Sequence, residues 1–253
     1  MLPPPMRGLD LRIAFLYGAE MNIYGDRGNI IALSQRARWR GIAVAVDQVG
    51  IGDPLPEAHH DLYFFGGGQD KEQIAVAADL ARRDNGDKGA VLREAIEGGA
   101  VALTICGGYQ LFGHSYRPHN GPELPGIGLI DVTSEAGPDR FIGNSVIATP
   151  DGELVGFENH SALTFVGPGA ESFGTVVVGA GNNGRDGSGG ARYKHAYGCY
   201  LHGSLLPKNP WFADLLLAQA LARRHGPVEL PPLPDGLEVA AHRSAVHRAQ
   251  LTK

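Results

Sequence analysis

Two cysteines in 253 residues, Cys106 and Cys199, are too few for a disulfide framework, and neither belongs to a Cys-x-x-Cys zinc pattern. That scarcity points to a reducing compartment. Charge is also sparse: charged residues are 19% of the chain, the formal net charge is −5, and no long basic run occurs. A nucleic-acid binder, whose affinity must come from phosphate neutralisation, is therefore excluded. No stretch approaches the ~18 apolar residues of a membrane span, and Met1-Leu2-Pro3-Pro4-Pro5 has no signal-peptide core. These absences predict a cytoplasmic protein. Internal repeats and an interior linker are missing too, which leaves one domain.

Glycine, in contrast, is abundant: its 37 residues are about double the average share and mark a compact, turn-rich chain. Residues 1–11 read as a loose leader, 12–229 as a single domain, and 230–253, Pro-rich and then basic, as a tail or capping helix. Strand and helix alternate through the first 115 residues. Strands are expected at Arg12–Tyr17, Ala43–Val49 and Asp61–Phe65. Between and after them, Ile30, Leu33 and Ala37 mark one helix face, Ile74, Ala77, Ala78 and Ala81 a second, and Val91, Leu92, Ala95 and Ile96 a third. This is the pattern of a parallel sheet wrapped by helices, an α/β fold. Past Phe112, short strand-like runs at Gly128–Thr133, Ser145–Ala148, Glu153–Glu158 and Gly174–Val178 should add antiparallel strands to the same sheet. The polar, glycine-rich Asn182–Gly190 stretch reads as a mobile surface connection. Tyr197–Leu201 is a last strand leading to His202, and Trp211, Leu215, Ala218 and Ala222 define a helix after Pro210.

The most informative stretch is Ala100-Val101-Ala102-Leu103-Thr104-Ile105-Cys106-Gly107-Gly108-Tyr109-Gln110. An apolar run ends on a cysteine followed by two glycines and a helical stretch, the pattern of a nucleophile elbow. Such a turn exposes the sulfur above the sheet, places the Gly107 N–H where an oxyanion would form, and aims a helix start at a thiolate. Two readings stay open on this segment alone, a nucleophile or a buried cysteine acting as a small hydrophobe. A thiol nucleophile needs a base, and His202 ends a strand where parallel-sheet active sites collect. Gly66-Gly67-Gly68 lacks the Lys-Ser/Thr of a P-loop and the spacing of a dinucleotide fingerprint. It is either a plain strand-terminating turn or the source, at Gly67, of a second oxyanion donor.

Thr104-Ile105-Cys106-Gly107-Gly108-Tyr109-Gln110, Phe65-Gly66-Gly67-Gly68, Gly156-Phe157-Glu158-Asn159-His160 and Tyr200-Leu201-His202-Gly203 together resemble the class I glutamine amidotransferases, in the cobyric acid synthase-like branch. Gly25-Asp26-Arg27-Gly28-Asn29 and the run from Tyr200 to Pro210 are similar to the glutaminase subunits of lipid II isoglutaminyl synthases. The resemblance covers residues 12–225. It implies hydrolysis of L-glutamine to glutamate and ammonia, with Cys106 as nucleophile and His202 as base. The ammonia would pass to a Mur-ligase-like synthetase subunit that amidates the α-carboxyl of D-glutamate in lipid II during peptidoglycan synthesis. No metal and no cofactor are expected in this chain, whereas ATP and Mg²⁺ are expected in the partner.

By the same comparison Arg140 matches the arginine that holds the substrate, a role suited to a guanidinium gripping an α-carboxylate. Gln110 is similar in position to a glutamine that borders the substrate pocket; a polar contact at a helix start is the other reading. His160 and Cys199 are expected to be structural. One position departs from many class I enzymes, which carry a glutamate two residues after the histidine where this chain has Ser204. The group that orients His202 is then a backbone carbonyl, an acidic residue of this chain such as Glu158, or an acidic residue of the partner, and the two-subunit resemblance points to the partner. A corrinoid or other carboxylate acceptor is an alternative, though the fused ATP-binding domain of corrinoid amidases has no counterpart here. A catalytically silent interaction protein is another, disfavoured by the presence of Cys106, His202 and Arg140.

Overall fold

The computed structural model describes residues 2–22, 25–82 and 87–252; Tyr24, expected in the loop before the first helix, lies outside them. The chain runs through β1 (Asp10–Leu16), α1 (Arg27–Trp39), β2 (Ala43–Val49), β3 (Leu62–Phe65), α2 (Asp70–Leu80), α3 (Lys88–Glu97), β4 (Val101–Ile105) and α4 (Gly107–Phe112). It continues with β5 (Ser115–Arg117), β6 (Leu124–Pro125), β7 (Val132–Thr149), β8 (Gly152–Val166), β9 (Glu171–Ser172), β10 (Thr175–Val178), β11 (Ala191–Tyr193), β12 (Ala196–Cys199), α5 (Leu205–Lys208), α6 (Pro210–His225) and α7 (Gly236–Leu251). The first strand thus begins at Asp10, two residues before the expected start.

The main sheet has the order β2-β1-β3-β4-β12-β11-β9. Its first five strands are parallel, and β11 and β9 extend it antiparallel. Burial follows position. Every residue of β3 and β4, in the middle, is buried, as uninterrupted apolar runs require, while β2 on the edge is buried mainly at its last residue. Helices cover both faces: Leu33 and Ala37 of α1 join Leu216 and Ala220 of α6 on one, and Ala77 of α2 joins Leu92 and Ile96 of α3 on the other.

The strands of the second half do not all join this sheet, as the sequence had suggested. β7, β8, β10, β5 and β6 form a separate five-stranded sheet built on the long β7–β8 hairpin. The 18 residues of β7 and 15 of β8 supply each other's backbone partners, so they need no edge of the first sheet. Most of Gly128–Thr133 is not strand at all, because the Leu129 and Ile130 N–H groups turn back to the Phe112 carbonyl. Asn182–Gly190 is also not a loose surface connection. Asn182 is fully buried, and its amide donates to Ser188 Oγ and the Gly190 carbonyl while accepting from the Gly190 N–H.

Residues beyond Leu230 are tied back by charge. Arg36 of α1 and Arg40, just past its end, are buried, and both form paired hydrogen bonds with the Asp214 carboxylate of α6 at 2.6–3.0 Å. Arg36 adds Asp235, and Arg40 donates to the Pro231 carbonyl at 2.8 Å. α7 then packs Ala245, Val246 and Ala249 on Val146, Val155 and Val178 of the second sheet. Replacing Asp214 with Ala strips two buried guanidiniums of a shared partner, so the variant should lose about 3–5 kcal/mol of stability. Urea denaturation followed by circular dichroism measures it; a loss comparable to that of an exposed ion pair would show that Asp235 and the carbonyls suffice.

Candidate active site

Parallel strands deliver their following loops to one edge of the sheet, and three of these strands are neighbours. Phe65 of β3 pairs with Thr104 of β4, and Ile105 of β4 with Cys199 of β12. The Gly66–Gly68 turn, Cys106 and the Tyr200–His202 segment therefore converge at the carboxyl ends of adjacent strands. Cys106 sits there at φ 52° and ψ −106°, a conformation costly for a residue with a side chain. The turn is tight enough that a Cβ on Gly108 would lie 2.6 Å from the Phe65 carbonyl oxygen. The elbow inferred from the sequence is present.

His202 is fixed from two sides. Its backbone N–H donates to the Phe157 carbonyl at 2.7 Å and its carbonyl accepts from the Phe157 N–H at 3.2 Å, a bridge that ties β8 of the second sheet to the main sheet. Its Nδ1 faces Oδ2 of Asp26 at 3.5 Å, with His202 1% exposed and Asp26 fully buried. Burial opposes a charge on this imidazole. Its interactions with Cys106 and Asp26 overcome that cost and hold its pKa well above the ordinary histidine value.

An acidic group beside His202 is therefore present in this chain, against the expectation of one from the partner. Glu158 is not that group: its carboxylate accepts the Ala180 and Gly181 N–H groups, at 2.6 and 3.1 Å, and closes a turn. Ser204, at the position of the missing glutamate, has a different task. Its Oγ donates to the Gly25 carbonyl at 2.6 Å, Asn29 Oδ1 accepts the Leu206 N–H at 2.8 Å, and a Cβ on Gly28 would lie 2.2 Å from Ser204 Oγ. The Gly25-Asp26-Arg27-Gly28-Asn29 motif is thereby docked on the segment after His202, which delivers Asp26. In the sequence this motif carries no role for Asp26, whose one local mark is an acid flanked by Gly25 and Gly28.

The expectation for Gly67 needs correction. Its N–H donates to the same Asp26 Oδ2 at 2.9 Å, so in this structure it is committed to the carboxylate rather than to an oxyanion. A glycine is nevertheless required there, since a Cβ would come within 2.7 Å of His202 Cε1 and 3.2 Å of Cys106 Cβ. Gly107 begins α4, where the first N–H groups of a helix have no intrahelical acceptor.

Cys106, His202, Gln110 and Arg140 open on one cavity of about 390 Å³. Arg140 reaches it because β7 and β8 lose register: Ala136 pairs with Ala162 but Phe141 with His160, so Gly137–Arg140 bulge opposite Ser161. Pro138, which has no N–H, sits inside that interruption. Arg140 Nε donates to Asn159 Oδ1 at 2.7 Å. His160 also lines the cavity, stacked on Tyr200 with ring centroids 3.6 Å apart and donating from Nδ1 to the Ala162 carbonyl. Burial pulls its pKa down to about 4. Gln110 lines the same cavity and is hydrogen bonded on both sides of its amide, from Gln73 and to Tyr200. Cys199 is core, its thiol pushed up to about 12 by burial.

Away from this cavity, Asp47, His59 and His60 bring three donor atoms within 4.8 Å. They do not fit a metal. A ligating imidazole donates its other N–H to an acceptor, and buried His60 Nδ1 has none among the described residues. Nε2 of His60 instead meets Asp47 directly, at 3.0 Å.

Residues 12–210 match the CobB/CobQ-like glutamine amidotransferase domain. The chain belongs to this family, whose class I amidotransferase fold accounts for the parallel sheet and elbow. Similar proteins include the lipid II isoglutaminyl synthase (glutamine-hydrolyzing) subunit GatD of Staphylococcus aureus, 38% identical over 96% of this chain and 98% of that protein. The subunit of the same name from Streptococcus pneumoniae is 40% identical over 93% of this chain and 91% of that protein. Cobyric acid synthase of Rhizobium rhizogenes is 33% identical over 49% of this chain and 26% of that protein. Among solved structures, a glutamine amidotransferase from Thermotoga maritima superposes with a TM-score of 0.53 at 15% identity, covering 94% of this chain and 97% of that one.

The two cavity histidines should titrate in opposite directions. Imidazole ¹H–¹⁵N spectra should show His202 still protonated at pH 8 and His160 neutral at pH 6. Asp26→Asn removes an opposing charge and should lower the His202 midpoint by about 1–3 units. A His202 midpoint near the ordinary histidine value in the wild type, unmoved by Asp26→Asn, would contradict the charged arrangement.

Proposed function

We propose that this chain is the glutamine-hydrolysing subunit of a two-component amidotransferase that acts in peptidoglycan synthesis. The observation that carries the reading is the meeting of Cys106 and His202 at one cavity wall, with buried Asp26 behind the imidazole. In this reading Arg140 holds the substrate α-carboxylate and Gln110 borders the side chain. Cys106 Sγ forms a bond to the carboxamide carbon, and the electron pair of the C=O moves to an oxyanion met by the Gly107 N–H. Protonated His202 gives its proton to the leaving nitrogen as the C–N bond breaks, releasing ammonia and a thioester. Water, deprotonated by the now neutral His202, attacks the thioester carbon; the C–S bond breaks, releasing glutamate and restoring the Cys106 thiolate and protonated His202. Asp26 keeps the imidazole oriented and its charge compensated throughout.

The ammonia is passed to a Mur-ligase-like synthetase that binds ATP and Mg²⁺ and amidates the D-glutamate α-carboxyl of lipid II. The names of the S. aureus and S. pneumoniae relatives, matched across nearly their full lengths, support this acceptor. No helix of the described residues is long and apolar enough to cross a membrane, and a cytoplasmic location belongs to the same proposal.

Cys106→Ala should abolish glutamine hydrolysis while leaving the circular dichroism spectrum unchanged, because the bond-forming atom is lost and the glycines keep the turn. Retained turnover would remove Cys106 from the chemistry. Arg140→Ala loses a charge-assisted contact of about 2–3 kcal/mol, which should weaken glutamine binding to the Cys106→Ala protein by roughly tenfold to a hundredfold. Calorimetry measures this, and unchanged affinity would place Arg140 outside the substrate contacts. With the synthetase, ATP and glutamine, lipid II should gain one amide nitrogen by mass spectrometry; glutamine hydrolysis without any such product would overturn the acceptor assignment.

A further inference from the structure

A chain of buried side chains runs behind the cavity wall from the second sheet to α2. Thr164 Oγ1 lies 2.7 Å from Ser134 Oγ and 2.6 Å from Tyr200 Oη, and Gln110 Nε2 donates to Tyr200 Oη at 3.2 Å. Gln73 Nε2 in turn donates to Gln110 Oε1 at 2.7 Å and reaches the Gly107 carbonyl at 3.5 Å. Ser134, Thr164, Tyr200, Gln110 and Gln73 are all buried.

The direction of this chain is fixed by chemistry. Tyr200 Oη accepts from Gln110, so its single proton goes to Thr164, whose proton goes on to Ser134. At the other end, turning the Gln73 amide over would set its oxygen 3.5 Å from the Gly107 carbonyl oxygen, one acceptor facing another. Gln73 must therefore keep Nε2 toward Gln110 and Gly107. Its Oε1 is left over, with no hydrogen-bond donor among the described residues, on a side chain that lines the cavity beside the nucleophile turn.

The cavity gives that oxygen a purpose. Among its described lining residues are the cations Lys71 and Arg140 and no carboxylate. A free amino acid brings both an α-carboxylate and an α-ammonium; the first has cations to meet, whereas the second must be met by a neutral acceptor. Asn159 Oδ1 is already occupied by Arg140. We propose that Gln73 is a substrate-binding and specificity-determining residue whose Oε1 accepts a hydrogen bond from the α-ammonium of the substrate. Its amide is held in the accepting orientation by the Gln110–Tyr200–Thr164–Ser134 relay. This rests on the glutaminase reading above and adds to it a reason for selecting an amino acid over a plain amide.

The test pairs a residue change with a substrate change. Kinetics of ammonia release are measured for wild type and Gln73→Met, which keeps length and loses the acceptor, on L-glutamine and on 4-carbamoylbutanoate, the same molecule without its amino group. Measurements are made with the synthetase subunit present, and near-ultraviolet circular dichroism checks folding. Gln73→Met should lower kcat/KM on L-glutamine roughly tenfold or more beyond its effect on 4-carbamoylbutanoate: losing the donor to Gln110 weighs on both substrates, whereas only L-glutamine has an ammonium to lose. Thr164→Val, which breaks the relay without touching the cavity, should show the same selectivity to a smaller degree. Equal losses on both substrates, or none, would overturn the assignment while leaving glutaminase activity intact. Absence of ammonia release from L-glutamine by the wild type would instead overturn the glutaminase reading, and this assignment with it.

Discussion

Asp26 Oδ2 takes the Gly67 N–H at 2.9 Å and faces His202 Nδ1 at 3.5 Å from a fully buried position. An ionised carboxylate out of water is expensive unless matched by donors and an opposing charge. Here the Gly67 N–H and the His202 imidazole meet Oδ2, while Oδ1 has no hydrogen-bond partner among the described residues, so the charge of Asp26 leans on that of His202 and the reverse. Remove either and the remaining group is stranded in the interior. The same contact joins three segments far apart in sequence: the turn before α1, the turn after β3 and the end of β12.

Two further contacts make that arrangement rigid. Ser204 Oγ holds the Gly25 carbonyl, so the segment following His202 also fixes the loop that carries Asp26. The Phe157–His202 bridge holds the histidine backbone against the second sheet. The second sheet is thus part of the site and not an ornament on the first. Through the bulge of β7 it contributes Arg140, and through Thr164 and Ser134 it holds the polar relay behind Gln110. Asp26 faces His202 from within this chain, at the place where the proposed mechanism needs an orienting carboxylate.

Much of this was legible in the sequence because it rests on local pattern. The uninterrupted apolar runs of β3 and β4 announce central parallel strands, and a cysteine between such a run and two glycines announces an elbow. His202 was reachable because it follows a strand that must lie beside β4. What was hidden depends on long-range pairing. That β7 and β8 satisfy each other instead of joining the main sheet is a matter of hairpin length, which the scattered glycines and Pro138 obscured. Asp26 was hidden because nothing local says that a polar loop residue will be buried; the docking of Gly28 on Ser204 spans the whole domain. Gly67 was misread since a free N–H in a glycine turn and one already held by a distant carboxylate look alike in sequence. Asn182 misled in the same way, a turn-forming residue turned inward.

The central claim, that this chain carries its own orienting carboxylate, is tested most directly by the turnover of L-glutamine by Asp26→Asn against wild type, with and without the synthetase subunit. The substitution preserves shape while removing the charge. It should lower kcat on the order of 10²-fold or more in both settings, as loss of tautomer and charge control does in other nucleophile–histidine sites. Wild-type turnover by folded Asp26→Asn would contradict the claim, as would full rescue by the partner.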